Sequence, residues 1–196
     1  MRGGDGVAGR KVLGVVGMPG SGKSVAADVG RTLGFSIVVM GDAVRDEAAR
    51  RGLPLTPDNL GRVMMEMREE EGPAVVAKRS IAKLAEGTGG RIIIEGVRSL
   101  AEVDEFRTHF PPFKLVAIHA SPTARFRRIL KRGRGDDAMD RQTFAARDDR
   151  ELRVGLGSVI ALADHVIANE GTVTQFKQRV RTFLEAYLRE ACTSRC

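Results

Sequence analysis

Five short aliphatic runs punctuate the chain: Lys11 to Val16 (KVLGVV), Ser36 to Met40 (SIVVM), Arg91 to Glu95 (RIIIE), Lys114 to Ala120 (KLVAIHA) and His165 to Asn169 (HVIAN). Each is nearly unbroken rather than alternating, and Val and Ile dominate, which is the pattern of a strand covered on both faces. Between these runs the apolar positions recur every three to four residues. That spacing predicts a helix after the glycine-rich stretch that follows the first run. Others are expected near Ala43 to Arg51, Asn59 to Glu71, Ala74 to Glu86, Leu100 to Phe106, Pro122 to Arg132, Asp140 to Leu162 and Val173 to Ala191. The last carries Phe176, Val180, Phe183, Leu184, Tyr187 and Leu188 along one stripe. Strands alternating with helices predict a three-layer α/β architecture, a parallel sheet wrapped on both faces. Ligands of such sheets sit at the C-terminal ends of the strands.

Composition narrows this picture. A chain of 196 residues, 42% of them hydrophobic, can bury one sizeable core, so residues 1–196 are expected to form a single domain. The net charge of +7 favours anionic partners, namely nucleotides, nucleic acid or acidic headgroups. Cys192 and Cys196, both in the last five residues, form neither a disulfide framework nor a zinc pattern. No apolar run approaches the ~20 residues of a membrane span, and the N-terminal segment does not read as a signal peptide. A cytoplasmic protein with free thiols, away from membranes, is expected. His119 is expected to be buried in its strand, His109 to lie in a loop and His165 at a strand edge.

The first chemistry appears where the first strand ends. Gly17-Met18-Pro19-Gly20-Ser21-Gly22-Lys23-Ser24 satisfies G-x-x-x-x-G-K-[ST] between an expected strand and an expected helix. Glycines let successive backbone N–H groups curl around phosphate oxygens, and the helix that follows adds its positive N-terminal end. Lys23 supplies a cation for the outer phosphates, and Ser24 is the hydroxyl such loops present to Mg²⁺. A GTPase would carry an Asn-Lys-x-Asp segment, which this chain lacks, and the "DNLG" of Asp58 to Gly61 follows prolines rather than a strand. An AAA-type ATPase would end its third strand with an acidic pair, whereas "IIIEGVRS" offers Glu95 and then glycine. A kinase-type site fits these features better.

These residues resemble the adenylate-kinase-like P-loop kinases of nucleotides and related small molecules, over roughly Lys11 to Leu188. The pattern as a whole is similar to an archaeal group of adenylate-kinase-related proteins. "GDAVRDE" resembles the G-D-x-x-R-x-E of nucleoside monophosphate kinases, which implies that Arg45 grips the acceptor phosphate and Asp42 lies near the magnesium and its waters. "IIIEGVRS" resembles the D-G-x-P-R segment and assigns the acidic role to Glu95, with glutamate for aspartate. Arg98, on the acceptor side, comes one residue early and without a preceding proline. "RRILKRGRGDD" resembles the start of the family's short lid. That match implies that Arg128 stacks on adenine, Arg132 holds donor phosphates and Arg134 reaches the transferred phosphoryl group, with Arg147 as a further lid arginine. "ADHVIANEG" resembles the last strand and base-side loop of dephospho-coenzyme A kinase, placing Asn169 beside the adenine. The resemblance further implies a five-stranded sheet of order 2-3-1-4-5, a helical acceptor flap at about residues 42–86 and a lid at about residues 131–147.

Apart from that resemblance, the residues leave alternatives open. Arg125 to Arg134 contains six basic side chains and no acid, which self-repel unless an anion or water lies among them. Nucleotide phosphate, a solvated helix face and nucleic acid each satisfy that condition. Asp42 and Arg45 also fit a helix cap with a surface charge. The expected activity is Mg²⁺-dependent phosphoryl transfer from ATP to a nucleoside monophosphate or a nucleotide-like acceptor such as dephospho-coenzyme A. The rivals are an RNA- or ribosome-associated ATPase on the same fold and a nucleotide-binding regulator without turnover.

Overall fold

A computed structural model of the chain describes residues 10–85, 89–133 and 140–193. All five expected strands form: β1 (Lys11–Val16), β2 (Ser36–Val39), β3 (Arg91–Glu95), β4 (Lys114–His119) and β5 (His165–Ala168). They pair in parallel in the order β2-β3-β1-β4-β5, the order the resemblance implies. The described helices are α1 (Lys23–Thr32), α2 (Met40–Arg50), α3 (Pro57–Glu71), α4 (Val75–Ala85), α5 (Leu100–His109), α6 (Pro122–Arg132), α7 (Arg141–Val154), α8 (Leu156–Ala161) and α9 (Val173–Thr193).

Alternate residues of the central strands enter different cores, as unbroken apolar runs require. Val12, Val16, Ile92, Ile94, Leu115 and Ala117 pack with α2 to α5 and α8 on one face. Leu13, Val15, Ile93, Val116, Ile118 and Ile167 pack with α1 and α9 on the other. Burying each Ile of β3 stabilises the fold by about 1.5–3 kcal/mol. This anchors the sheet whose C-terminal edge carries the phosphate loop.

Three local features depart from the sequence reading. The single helix expected over Asp140 to Leu162 is two, because Gly155 adopts φ 112°, a left-handed turn that ends α7 and starts α8. The turn lets Leu156 and Val159 bury. β2 passes into α2 without a loop, so the helix begins at Met40 rather than Ala43 and brings Gly41 and Arg45 to the strand end. His119 is exposed at the end of β4 rather than buried, and His109 ends α5 rather than lying in a loop. His165 does open the edge strand β5, stacked on Phe183 with ring centroids 4.7 Å apart.

The segment expected to act as a flap is tied into the first core through Val63, Met64, Met67, Val76 and Leu84. A buried acid joins its helices. Glu47 of α2 accepts hydrogen bonds from Arg50 (2.6 and 3.0 Å), Arg51 (2.6 Å) and Arg79 of α4 (2.8 Å), while Arg51 also reaches Glu66 of α3 at 2.7 Å. Hydrogen bonds from three guanidinium groups hold the Glu47 carboxyl far below the usual carboxylate range, against the opposing effect of burial. Among the described residues no helix is long and apolar enough to cross a membrane.

Candidate active site

The glycine loop joins the end of β1 to α1, and its shape explains its composition. Gly17, Gly20 and Gly22 have φ values of 150°, 77° and 111°. A Cβ at Gly17 would lie 2.4 Å from the carbonyl oxygen of Ile118, and one at Gly22 would lie 2.4 Å from Asn169 Nδ2. Pro19 is buried, Met18 half-buried, and the Ser21 N–H donates to Met18 O at 3.1 Å to close the turn. The buried Ser21 Oγ has no hydrogen-bond partner among the described residues. Lys23 Nζ donates to Gly17 O at 2.7 Å and Met18 O at 3.3 Å. Burial lowers the Lys23 pKa to about 8; the charges of Glu95 and Glu151 oppose the fall, and those of Arg98 and Arg147 add to it. A cation stripped of water in this way gains most from a doubly charged oxyanion such as a phosphate.

The basic run on α6 divides into different roles. Arg125, only 3% exposed, donates to Pro19 O at 3.1 Å and makes a two-pronged pair with Asp148 of α7 at 2.8 and 2.5 Å. Its guanidinium also lies 4.9 Å from the Phe144 ring centroid. The anion that balances this part of the run is therefore Asp148, supplied by α7. Arg128 Nη2 donates to Asn169 O at 2.7 Å and to its Oδ1 at 3.3 Å, while Asn169 Nδ2 donates to Ser21 O at 2.7 Å. Arg128, Asn169 and the loop are thus brought together.

Two clefts flank the loop. One, of about 300 Å³, is lined by Gly20, Gly22, Lys23, Ser24, Glu95, Arg128, Arg132 and Asn169, with Val173 and Phe176 among its apolar residues. The other, of about 180 Å³, is lined by Gly17, Pro19, Gly20, Lys23, Arg45, Glu95, Arg98, Arg132, Arg147 and Glu151. Gly20, Lys23, Glu95 and Arg132 line both. The second cleft shares Gly41, Arg45, Arg98, Arg147 and Glu151 with a further pocket of about 130 Å³, which adds Val44, Leu60, Met64 and Arg150. A larger groove of about 610 Å³ between β5 and α9 shares no residue with the phosphate loop and lies apart from this chemistry.

Ser24 and Glu95 offer hard oxygen atoms to the same cleft, a donor set that fits Mg²⁺ together with phosphate oxygens and water. Asp42 does not join them: it is half-exposed, pairs with Arg45 one helical turn along α2, and lines neither cleft. Arg134 lies outside the described residues. Sequence reasoning did not single out Asp148, Arg150 or Glu151. A usable signal was present in "RDDRE", because helical spacing of three and four residues puts Arg147, Arg150 and Glu151 on one face.

A family model described as AAA domain matches residues 16–145. β3 nevertheless ends in the single acid Glu95 followed by Gly96. The chain is 46% identical over 178 residues to a UPF0200 protein of Thermococcus sibiricus, a match covering 89% of this chain and 94% of the relative. It is 45% identical over 175 residues to a UPF0200 protein of Hyperthermus butylicus, with 89% and 94% covered. Among solved structures, a gluconokinase from Sinorhizobium meliloti matches with a TM-score of 0.58 and 16% identity, over 97% of this chain and 99% of that one. A shikimate kinase from Acinetobacter baumannii in complex with shikimate matches with a TM-score of 0.57 and 13% identity, over 92% and 94%. At these identities the structural likeness is one of fold. With close relatives covered over nearly their whole length, the chain belongs to the archaeal UPF0200 proteins, and its fold is that of the P-loop kinases.

Proposed function

We propose that the protein is a cytoplasmic phosphotransferase that moves the γ-phosphoryl group of ATP to a small anionic acceptor. Nucleoside monophosphates and nucleotide-like compounds such as dephospho-coenzyme A are the acceptor candidates. The observation that carries this reading is the set Lys23, Glu95 and Arg132, which lines both clefts and so stands where donor and acceptor would meet. The donor occupies the cleft of Arg128 and Asn169, with its phosphates on the Gly17 to Ser24 loop. Its base lies against Arg128 and the apolar wall of Val173 and Phe176.

Lys23 turns from its loop carbonyls to the outer phosphates, gaining a partner that matches its charge. Arg132 neutralises charge on the moving group, and Arg45, Arg98 and Arg147 hold the acceptor, so catalysis is chiefly positioning and electrostatic stabilisation. Arg134 is assigned to the transferred group by family likeness. Ser24 and Glu95 would hold Mg²⁺, which would supply neutralisation of phosphate charge when bound. Exclusion of water from the clefts would protect the phosphoryl group from hydrolysis, and residues 134–139 of the expected lid lie outside the described residues.

The test is a coupled assay of ADP release from Mg·ATP against nucleoside monophosphates, their deoxy forms, dephospho-coenzyme A and small hydroxy acids. One acceptor set should raise turnover well above the rate without acceptor. Turnover raised only by RNA would replace this reading with an RNA-stimulated ATPase, whose affinity would fall steeply with salt.

A further inference from the structure

Acceptors for phosphoryl transfer are of two chemical kinds. A phosphate oxygen already carries negative charge, needs no base and is repelled by a carboxylate beside it. A hydroxyl is neutral and must lose a proton as it bonds to phosphorus, so it gains from a nearby base. The inner pocket places an acid at this point. Glu151, 8% exposed, lines both the inner pocket and the cleft that contains Lys23, and no other acid lines the inner pocket among the described residues. Its Oε2 lies 2.8 Å from Arg98 Nε. The inner pocket is also lined by Arg45, Arg98, Arg147 and Arg150, with Arg45 paired to Asp42 and Arg98 to Glu151, a strongly basic lining that suits an acceptor bearing its own anionic group. Of the other two acids near the loop, Glu95 lines both clefts and is assigned with Ser24 to Mg²⁺, and Asp42 lines neither cleft and pairs with Arg45.

We propose that the acceptor is an alcohol carrying a carboxylate or phosphate, and that Glu151 takes the proton of its attacking hydroxyl. This rests on the reading of the two clefts as donor and acceptor sides. In the step, the hydroxyl oxygen forms a bond to the γ-phosphorus while the bond from that phosphorus to the β–γ bridging oxygen breaks. ADP leaves with the electron pair, and the hydroxyl proton passes to a carboxylate oxygen of Glu151, from which water later removes it. Burial works against the charge on Glu151, but the charges of Arg98, Lys23 and Arg147 outweigh it and hold the carboxyl below its usual range. The carboxylate is thus ionised and able to accept a proton whose acidity rises as the new bond forms.

The experiment uses the full chain with Mg·ATP and three acceptors: water alone, nucleoside monophosphates, and alcohols bearing a carboxylate or phosphate. ADP release gives the rates, and phosphorus NMR distinguishes a phosphate ester product from an anhydride. An ester is expected, with Glu151→Gln lowering turnover about 10²- to 10⁴-fold at nearly unchanged ATP affinity, and Glu151→Asp restoring part of it. If Glu151 only positions Arg98, then Glu151→Gln and Arg98→Ala raise the acceptor KM alike and leave kcat and release to water unaltered; that outcome overturns the proposal. Faster transfer to a monophosphate oxygen overturns it as well. Lys23→Ala separates the two levels of failure. Release that depends on Lys23 but not on Glu151 sinks the base alone. Release indifferent to Lys23, or none with any acceptor, sinks the phosphotransferase reading beneath it.

Discussion

Lys23 is held against two carbonyl groups of its own loop at a cost in hydration, and this makes it responsive to an arriving phosphate. Lys23→Ala should therefore lower kcat by about 10²- to 10³-fold, as for loss of one preorganised electrostatic group, measured with the acceptor found by the screen. Arg45 stands on the opposite side of the junction, and on the proposed reading its contact with acceptor is made before chemistry begins. Arg45→Ala should raise the acceptor KM at least about tenfold and leave that of ATP nearly unchanged; a collapse of ATP binding alone would reverse the orientation of the site. Arg125 has no expected contact with either substrate. Removing its partner by Asp148→Ala strands a buried charge under Pro19 and should destabilise the fold by about 3 kcal/mol in denaturant unfolding. A change under about 0.5 kcal/mol would show that Arg125 finds another partner. The P-loop residues were legible in sequence because their roles are set by neighbours in the chain. Asp148 was not, since the partner of Arg125 stands 23 residues away.

Among the elements, α2 carries the heaviest duty, since it starts directly from β2, presents Arg45 to the cleft and anchors α4 through Glu47. The Glu47 carboxyl has a lower pKa folded than unfolded, so its stabilisation is fully present above its ordinary value of about 4.5 and is lost as pH falls from there. Acid unfolding followed by circular dichroism should show this as a loss of stability below about pH 4.5. Glu47→Gln should flatten that limb and cost about 2 kcal/mol at neutral pH, because its arginines retain access to water and can rehydrate. An unchanged acid limb would show that the network contributes nothing net. The strands and most helices were legible because burial on two faces or on one leaves a distinct apolar period. The break between α7 and α8 was not, since the apolar positions continue through Gly155 and only the left-handed turn reveals the change of direction.

For the molecule as a whole, the central position of β1 makes the phosphate loop the meeting point of two clefts that belong to opposite halves of the fold. Mg·ATP, binding the folded chain alone, should stabilise it by about 2.7 kcal/mol at a hundred times its Kd, a rise in Tm of about 5–11 °C for a protein of this size. Calorimetry with and without nucleotide measures this, and Lys23→Ala should remove most of the shift. If both proteins shift equally, nucleotide is bound elsewhere.

By itself the sequence determined the class of the fold and the identity of the loop. Apolar periodicity reports which faces are buried, and a loop whose glycines, lysine and serine act on one phosphate chain is encoded in consecutive residues. The second cleft was decided only by tertiary structure. Arg45, Arg98 and Glu151 come from α2, the segment after β3 and α7, and only packing on the sheet brings them into one pocket. Likewise a run of basic side chains does not disclose which of them is buried: that depends on where α7 lays Asp148, and it makes Arg125 a support for the loop while Arg128 and Arg132 line the cleft. Chain neighbours encode local geometry, whereas charges far apart in sequence acquire partners only when the core sets the distance between them.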